Sequence, residues 1–160
     1  MKNFLIVCLV LCLPCVCFAP VSDFSKTVVI IEQACMRFNF SMSKAFALIY
    51  SEEDFKNITT YQGADKCRHY YGPGQICYET AKLKALHFKG KESDLKNPAV
   101  SIPLCVHYIK ILNKQYHGNF EKVVAHYSGY VGDANRAKHF RRVHKLLKDV
   151  QECLNGKVQS

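Results

Sequence analysis

The chain has no series of alternating polar and apolar stretches, no internal repeat and no apolar run long enough to cross a bilayer comfortably. The first absence excludes a β-sandwich or barrel, and the second a solenoid or propeller. The third excludes a comfortable transmembrane helix, which needs roughly 20 consecutive apolar residues. Acids are scarce: 13 Asp and Glu stand against 22 Lys and Arg in 160 residues, a formal net charge of +9. What remains is a chain of one domain, 49% apolar and therefore able to bury a real core.

Four of the nine cysteines (Cys8, Cys12, Cys15, Cys17) fall within the first twenty residues. There Lys2 precedes an apolar run from Phe4 to Ala19, the shape of a secretory signal. Residues 1–19 are expected to be that leader, and 20–160 a single exported domain. Pro20 is a poor neighbour for a signal peptidase, so an uncleaved membrane anchor is the alternative. Leu11, Pro14 and Val16, which precede Cys12, Cys15 and Cys17, are not the small residues that lipidation prefers. The expected location is the periplasm or cell envelope.

Export permits disulfides. Cys67 and Cys77 flank the turn Gly72-Pro73-Gly74 and are placed to close a small loop. Cys35 shares a helical stripe with Val28, Ile31 and Phe38, and Cys105 with Tyr108, Ile109 and Leu112, so both read as core cysteines, although a buried pair could still bond. The exported part has an odd number of cysteines, so one thiol is left over or pairs between chains. Cys67, His69 and Cys77 lack a fourth ligand at suitable spacing, so no metal and no cofactor is expected.

Helical periodicity dominates the rest, and the fold class is mainly α. Helices are expected over Lys26 to Phe38, from a Ser41 or Ser43 cap to near Glu52, from Gln75 to Leu86, from about Ile102 to Gln115, and from Phe120 to Tyr127. Asn57 to Gly74 reads as a long loop or small irregular β region, and Lys89 to Asn97 as a charged surface loop. Ser128-Gly129-Tyr130-Val131-Gly132 turns the chain into a last helix, with Phe140, Val143, Leu147, Val150 and Leu154 inward. Its outer face carries Arg136, Lys138, Arg141, Arg142, Lys145 and Lys148. Such a face is either simply solvated or drawn to a polyanion. In an exported protein that means anionic wall polymer or phospholipid rather than nucleic acid.

One acid sits where the pattern calls for an apolar residue. At about 100° per residue, Ala45, Leu48, Ile49 and Phe55 share a face and Glu52 falls inside it, whereas Glu53 and Asp54 rotate away. A carboxyl on a buried face loses hydration, which disfavours its charged form and suits it to give a proton at neutral pH. The alternative is a helix end where an acidic run meets water.

Taken in order, four segments resemble the lytic transglycosylase family with the lysozyme-like fold, the group related to goose-type lysozyme. Ala47-Leu48-Ile49 through Glu52 to Phe55 resembles the family's helix ending in Glu-Ser-x-Phe. Gly72-Pro73-Gly74-Gln75 resembles its Gly-x-Met-Gln segment, and Asn97 to Ile102 followed by Tyr108-Ile109 its Asp-Pro-x-x-Asn-Ile segment. Tyr116-His117-Gly118-Asn119, then Val124-Ala125-His126-Tyr127-Ser128, resembles Tyr-x-Gly-Asp followed by Ala-Ala-Tyr-Asn. The likeness spans roughly Val28 to Leu147. Glu53, Gly74, Ser101 and Ser128 stand where the family has Ser, Met, Asn and Asn.

The resemblance implies cleavage of peptidoglycan glycan strands, with Glu52 as the single acid and base and no cofactor. Glu52 would protonate the oxygen between N-acetylmuramic acid and N-acetylglucosamine, then take the proton of the sugar's own 6-hydroxyl, leaving a 1,6-anhydro end. Gln75 would hydrogen-bond substrate, Tyr127 would bear on the acid or the sugar beside it, and Ser128 would do a weaker version of the Asn's work. Core Tyr and surface Gln are the plainer readings of two of these. A goose-type hydrolase using the same Glu52 is the nearest rival, and a wall-binding assembly protein without turnover is the other. Secretion, conjugation and phage assemblies that span the envelope are the partners such small domains serve.

Overall fold

The computed structural model describes residues 21–56, 58–61, 69–129 and 133–155. The leader expected over 1–19 and the turn at Tyr130 to Gly132 lie outside the described residues. Helix α1 spans Val21–Phe38 and α2 Met42–Glu53. Strands β1 (Thr59–Tyr61), β2 (His69–Tyr71) and β3 (Ile76–Cys77) form an antiparallel sheet in that order, with Thr59 opposite Tyr71 and Tyr70 opposite Cys77. One helical turn, α3 (Tyr78–Ala81), and two 3-10 turns, Lys84–Leu86 and Glu92–Lys96, lead into α4 (Pro98–Gln115). Helices α5 (Phe120–Ser128) and α6 (Asp133–Leu154) complete the described chain. The fold is mainly α, with two of the three strands of its described sheet in the region read as loop or irregular β.

Helix α2 lies at the centre. Ala45, Phe46, Ala47, Leu48 and Ile49 are each fully buried, and a helix apolar on every side can only be an interior one. The helix packs against α1, α4 and α6, while α1 and α4 pack against each other. Ser41 caps it by accepting from the Lys44 N–H. At the other end Asp54 and Phe55 both adopt left-handed backbone, with φ of 51° and 61°. That conformation is costly for residues with a Cβ. Burial of Phe55 offsets it: its ring meets Phe46 edge-on at 4.9 Å and lies 5.4 Å from Phe24. Outside, Arg142 of α6 pairs with Asp54. The chain therefore reverses directly after Glu53, and Phe55 reaches the core from the reversal rather than from the helical face.

The inward stripes of the other helices hold. Val28, Ile31 and Cys35 are buried on α1, Cys105, Ile109 and Leu112 on α4, and Val143 and Val150 on α6. Phe140, Leu147 and Leu154 pack partly buried beside them. The six basic residues of the α6 outer face are exposed.

Three local expectations are corrected. Gln75 to Leu86 is not one helix, because Ile76 and Cys77 pair with β2 and are buried in the sheet. Lys89 to Asn97 is the charged, mostly exposed segment expected, but it winds a 3-10 turn rather than a plain loop. Leu95 is fully buried, and Glu92 accepts a 2.7 Å hydrogen bond from the Tyr71 hydroxyl. Helix α4 begins at Pro98 rather than near Ile102, since Asn97 caps the Ala99 N–H and proline at the first position loses no helical bond. Cys77 is disulfide-bonded, while its expected partner Cys67 lies outside the described residues. Cys35 and Cys105 are buried free thiols.

Phe46 joins the central helix to the Phe24, Tyr50 and Phe55 rings. Phe46→Ala should cost about 3–5 kcal/mol, read as a lower denaturant midpoint with an unchanged slope. A loss under about 1 kcal/mol would mean that the site collapses freely and is not the packing centre.

Candidate active site

The end of α2, the end of α5 and the β2–β3 turn open onto one cleft, lined by Glu52, Glu53, Thr60, Tyr70, Gln75, Tyr127 and Ser128. All four residues singled out from the sequence are there. Glu52 stands on the last turn of α2 with its side chain 11% exposed. The Ser128 hydroxyl, from the last residue of α5, donates to Glu52 Oε1 at 2.7 Å. His139 Nε2, reaching in from α6, lies 2.8 Å from Ser128 Oγ and 3.5 Å from Glu52 Oε1. Ser51 Oγ donates to the Leu48 carbonyl at 2.7 Å and stands 3.4 Å from the same ring nitrogen.

Glu53 does not turn away from the site. It lines the cleft beside Glu52, on the last turn of α2.

Gln75 occupies the turn with φ of 50°. Its amide donates to the Gly72 carbonyl at 2.9 Å and the Ile58 carbonyl at 3.4 Å, and accepts from Thr60 Oγ1. Both N–H bonds are thus engaged, one within the turn and one to Ile58 at the foot of β1. What remains for a sugar hydroxyl is acceptor capacity on Oε1.

Tyr127 donates its hydroxyl to the Gly74 carbonyl at 2.7 Å. Burial holds this phenol well above the ordinary tyrosine range, with Cys105 and the Glu52 charge adding to the effect. It therefore stays neutral and keeps its proton for Gly74.

Gly74 has no room for a side chain. A Cβ there would meet Cys105 Sγ at 2.5 Å, Cys105 Cβ at 3.1 Å and the Tyr127 hydroxyl at 3.1 Å. Cys105 thus fills the space that a side chain at position 74 would need. Ser101 behaves similarly. Fully buried, it presses on Gly72, whose φ of +71° and 2.5 Å clearance to Ser101 Oγ admit only glycine. Ser101 thus supports the turn from below rather than lining the cleft.

His139 was not singled out from the sequence. Its signal was nonetheless there: it precedes Val143 by four residues and Val150 by eleven, which puts a titratable ring on the inward face of a basic helix.

A family model, the transglycosylase SLT domain, matches residues 29–150, well over half the chain. The chain belongs to that family. No curated protein and no solved structure matches it. The matched span includes every residue of the cleft and His139. Membership carries transglycosylase chemistry on peptidoglycan in general, and the lysozyme-like helical frame is the one described above.

Two expected outcomes follow from the Gly74–Cys105–Tyr127 contact. Gly74→Ala should cost about 1–3 kcal/mol by overpacking, with part of it recovered in Gly74→Ala/Cys105→Ala. No recovery in the double variant would mean the clash lies elsewhere. The second outcome concerns pH. Burial pushes the Cys105 thiol up from 9.0 to about 12, so its stabilising share is complete below the unfolded value and is lost as pH rises toward the folded one. Stability should therefore fall between pH 9 and about 12, and Cys105→Ala should make that fall shallower. An equal slope in parent and variant would exclude this thiol as a cause.

Proposed function

We propose that this domain is a lytic transglycosylase that breaks the β-1,4 bond between N-acetylmuramic acid and N-acetylglucosamine, leaving a 1,6-anhydro end. The observation that carries the reading is Glu52: an almost buried carboxyl at the floor of a cleft, held through one oxygen by Ser128. In that geometry it can protonate the glycosidic oxygen as the bond breaks. As a carboxylate it can then accept the proton of the 6-hydroxyl, which attacks the anomeric carbon of its own sugar. The acid is regenerated, and neither water nor metal enters the balance. Gln75 offers acceptor capacity on Oε1 to a sugar hydroxyl, and Tyr127 keeps the turn bearing Gln75 in place.

Glu53 supports a second reading. A hydrolase that uses two carboxyls needs one to activate water, and Glu53 shares the cleft with Glu52. Hydrolysis leaves a reducing end, so the product separates the two. The leader pattern of residues 1–19 supports export to the periplasm or envelope, where peptidoglycan and envelope-spanning secretion, conjugation or phage assemblies would be the partners.

The test is incubation with purified peptidoglycan and identification of the released muropeptides. Anhydro ends are expected from the parent, and Glu52→Gln should lower their release by about 100-fold or more while leaving the fold intact. Reducing ends would transfer the reading to hydrolysis. Release by Glu52→Gln at the parent rate would remove Glu52 from the mechanism, and a parent that binds without cleaving would be a wall-binding assembly protein.

A further inference from the structure

We propose that His139 is a positioning residue for Glu52, acting through the Ser128 hydroxyl. The inference rests on the reading of Glu52 as the reacting acid. Its observations are the meeting of three helices at one point and the proton count of the groups found there.

A serine hydroxyl owns one proton. Ser128 gives it to Glu52 Oε1 at 2.7 Å, so the 2.8 Å contact between Ser128 Oγ and His139 Nε2 needs its proton from the ring. In this relay Nε2 carries the hydrogen. The same N–H points near Glu52 Oε1, at 3.5 Å. Ser51 Oγ, 3.4 Å from Nε2, already donates to the Leu48 carbonyl and cannot supply a proton to the ring. Protons therefore run in one direction, from His139 to Ser128 to Glu52.

This direction selects which carboxyl oxygen reacts. Oε1 already accepts from Ser128, so the acid proton belongs on Oε2. Among the described residues no hydrogen bond reaches Oε2, and no buried side-chain oxygen lacks a partner. Oε2 is consequently open to the cleft, where a glycosidic oxygen would sit. His139 is itself 7% exposed, on the same face of α6 as the buried Val143. The family's Asn at position 128 is a longer side chain than serine. Here the shorter serine is braced from behind by a ring contributed by another helix.

Two measurements test the assignment on the full chain. Long-range proton–nitrogen NMR of the labelled histidines reads the His139 ring directly, independent of turnover. Nε2 should be protonated, and Ser128→Ala should shift the His139 ring signals. A proton on Nδ1 alone overturns the proposal. In muropeptide release, His139→Leu should lower kcat by about 10- to 100-fold with KM little changed. His139→Gln, whose amide N–H stands near the place of Nε2, should recover most of that loss. His139→Leu at the parent kcat overturns the proposal, as does equal loss in both variants at equal stability. If His139→Leu does not fold, His139→Asn takes its place, because its shorter amide stands nearer Nδ1. Gln above Asn supports the relay, and Gln equal to Asn overturns it. A parent that cleaves nothing defeats the reading of the reaction, and the NMR result then decides the hydrogen-bond relay by itself.

Discussion

Helix α2 is apolar around its whole circumference between Ala45 and Ile49, and a helix of that kind must be enclosed. Enclosure by α1, α4 and α6 determines where its last turn emerges. The reversal at Asp54 and Phe55, held by the aromatic cluster inside and Arg142 outside, stops the helix immediately after Glu53. Glu52 is thus at the boundary between core and cleft, close enough to the interior to be shielded and close enough to the surface to meet substrate.

The departures from the family pattern are connected through contacts. Gly74 replaces a Met, and the space is taken by Cys105 from α4, which also touches the Tyr127 that holds Gly74 in place. Ser101 replaces an Asn and packs beneath Gly72. Ser128 replaces another Asn, and His139 stands behind it. Each loss of a longer side chain is matched by a neighbour that fills the space or completes the hydrogen bond.

Much of this was legible in the chain. The inward stripes of α1, α4 and α6 were readable because 3.6-residue periodicity survives whenever one face is buried and the other wet. Glu52 was readable because an acid interrupting such a stripe breaks the pattern. The β3 strand was not, since two residues are too few for a period, and their pairing with β2 is decided across the turn. The 3-10 turn at Glu92–Lys96 was hidden for a similar reason: its only buried apolar residue, Leu95, is surrounded by charges in sequence. His139 was hidden because the same spacing serves an ordinary core histidine.

The sequence by itself determined the mainly α class, the inward faces of the long helices and the candidate residues Glu52, Tyr127 and Ser128, because local periodicity and short motifs carry that information along the chain. Tertiary structure alone decided that Glu53 shares the cleft, that Gln75 spends its amide on its own turn, that Cys105 forbids a side chain at Gly74, and that His139 stands behind Ser128. Each of these joins groups on different elements, at distances that depend on how the helices pack rather than on spacing along the chain.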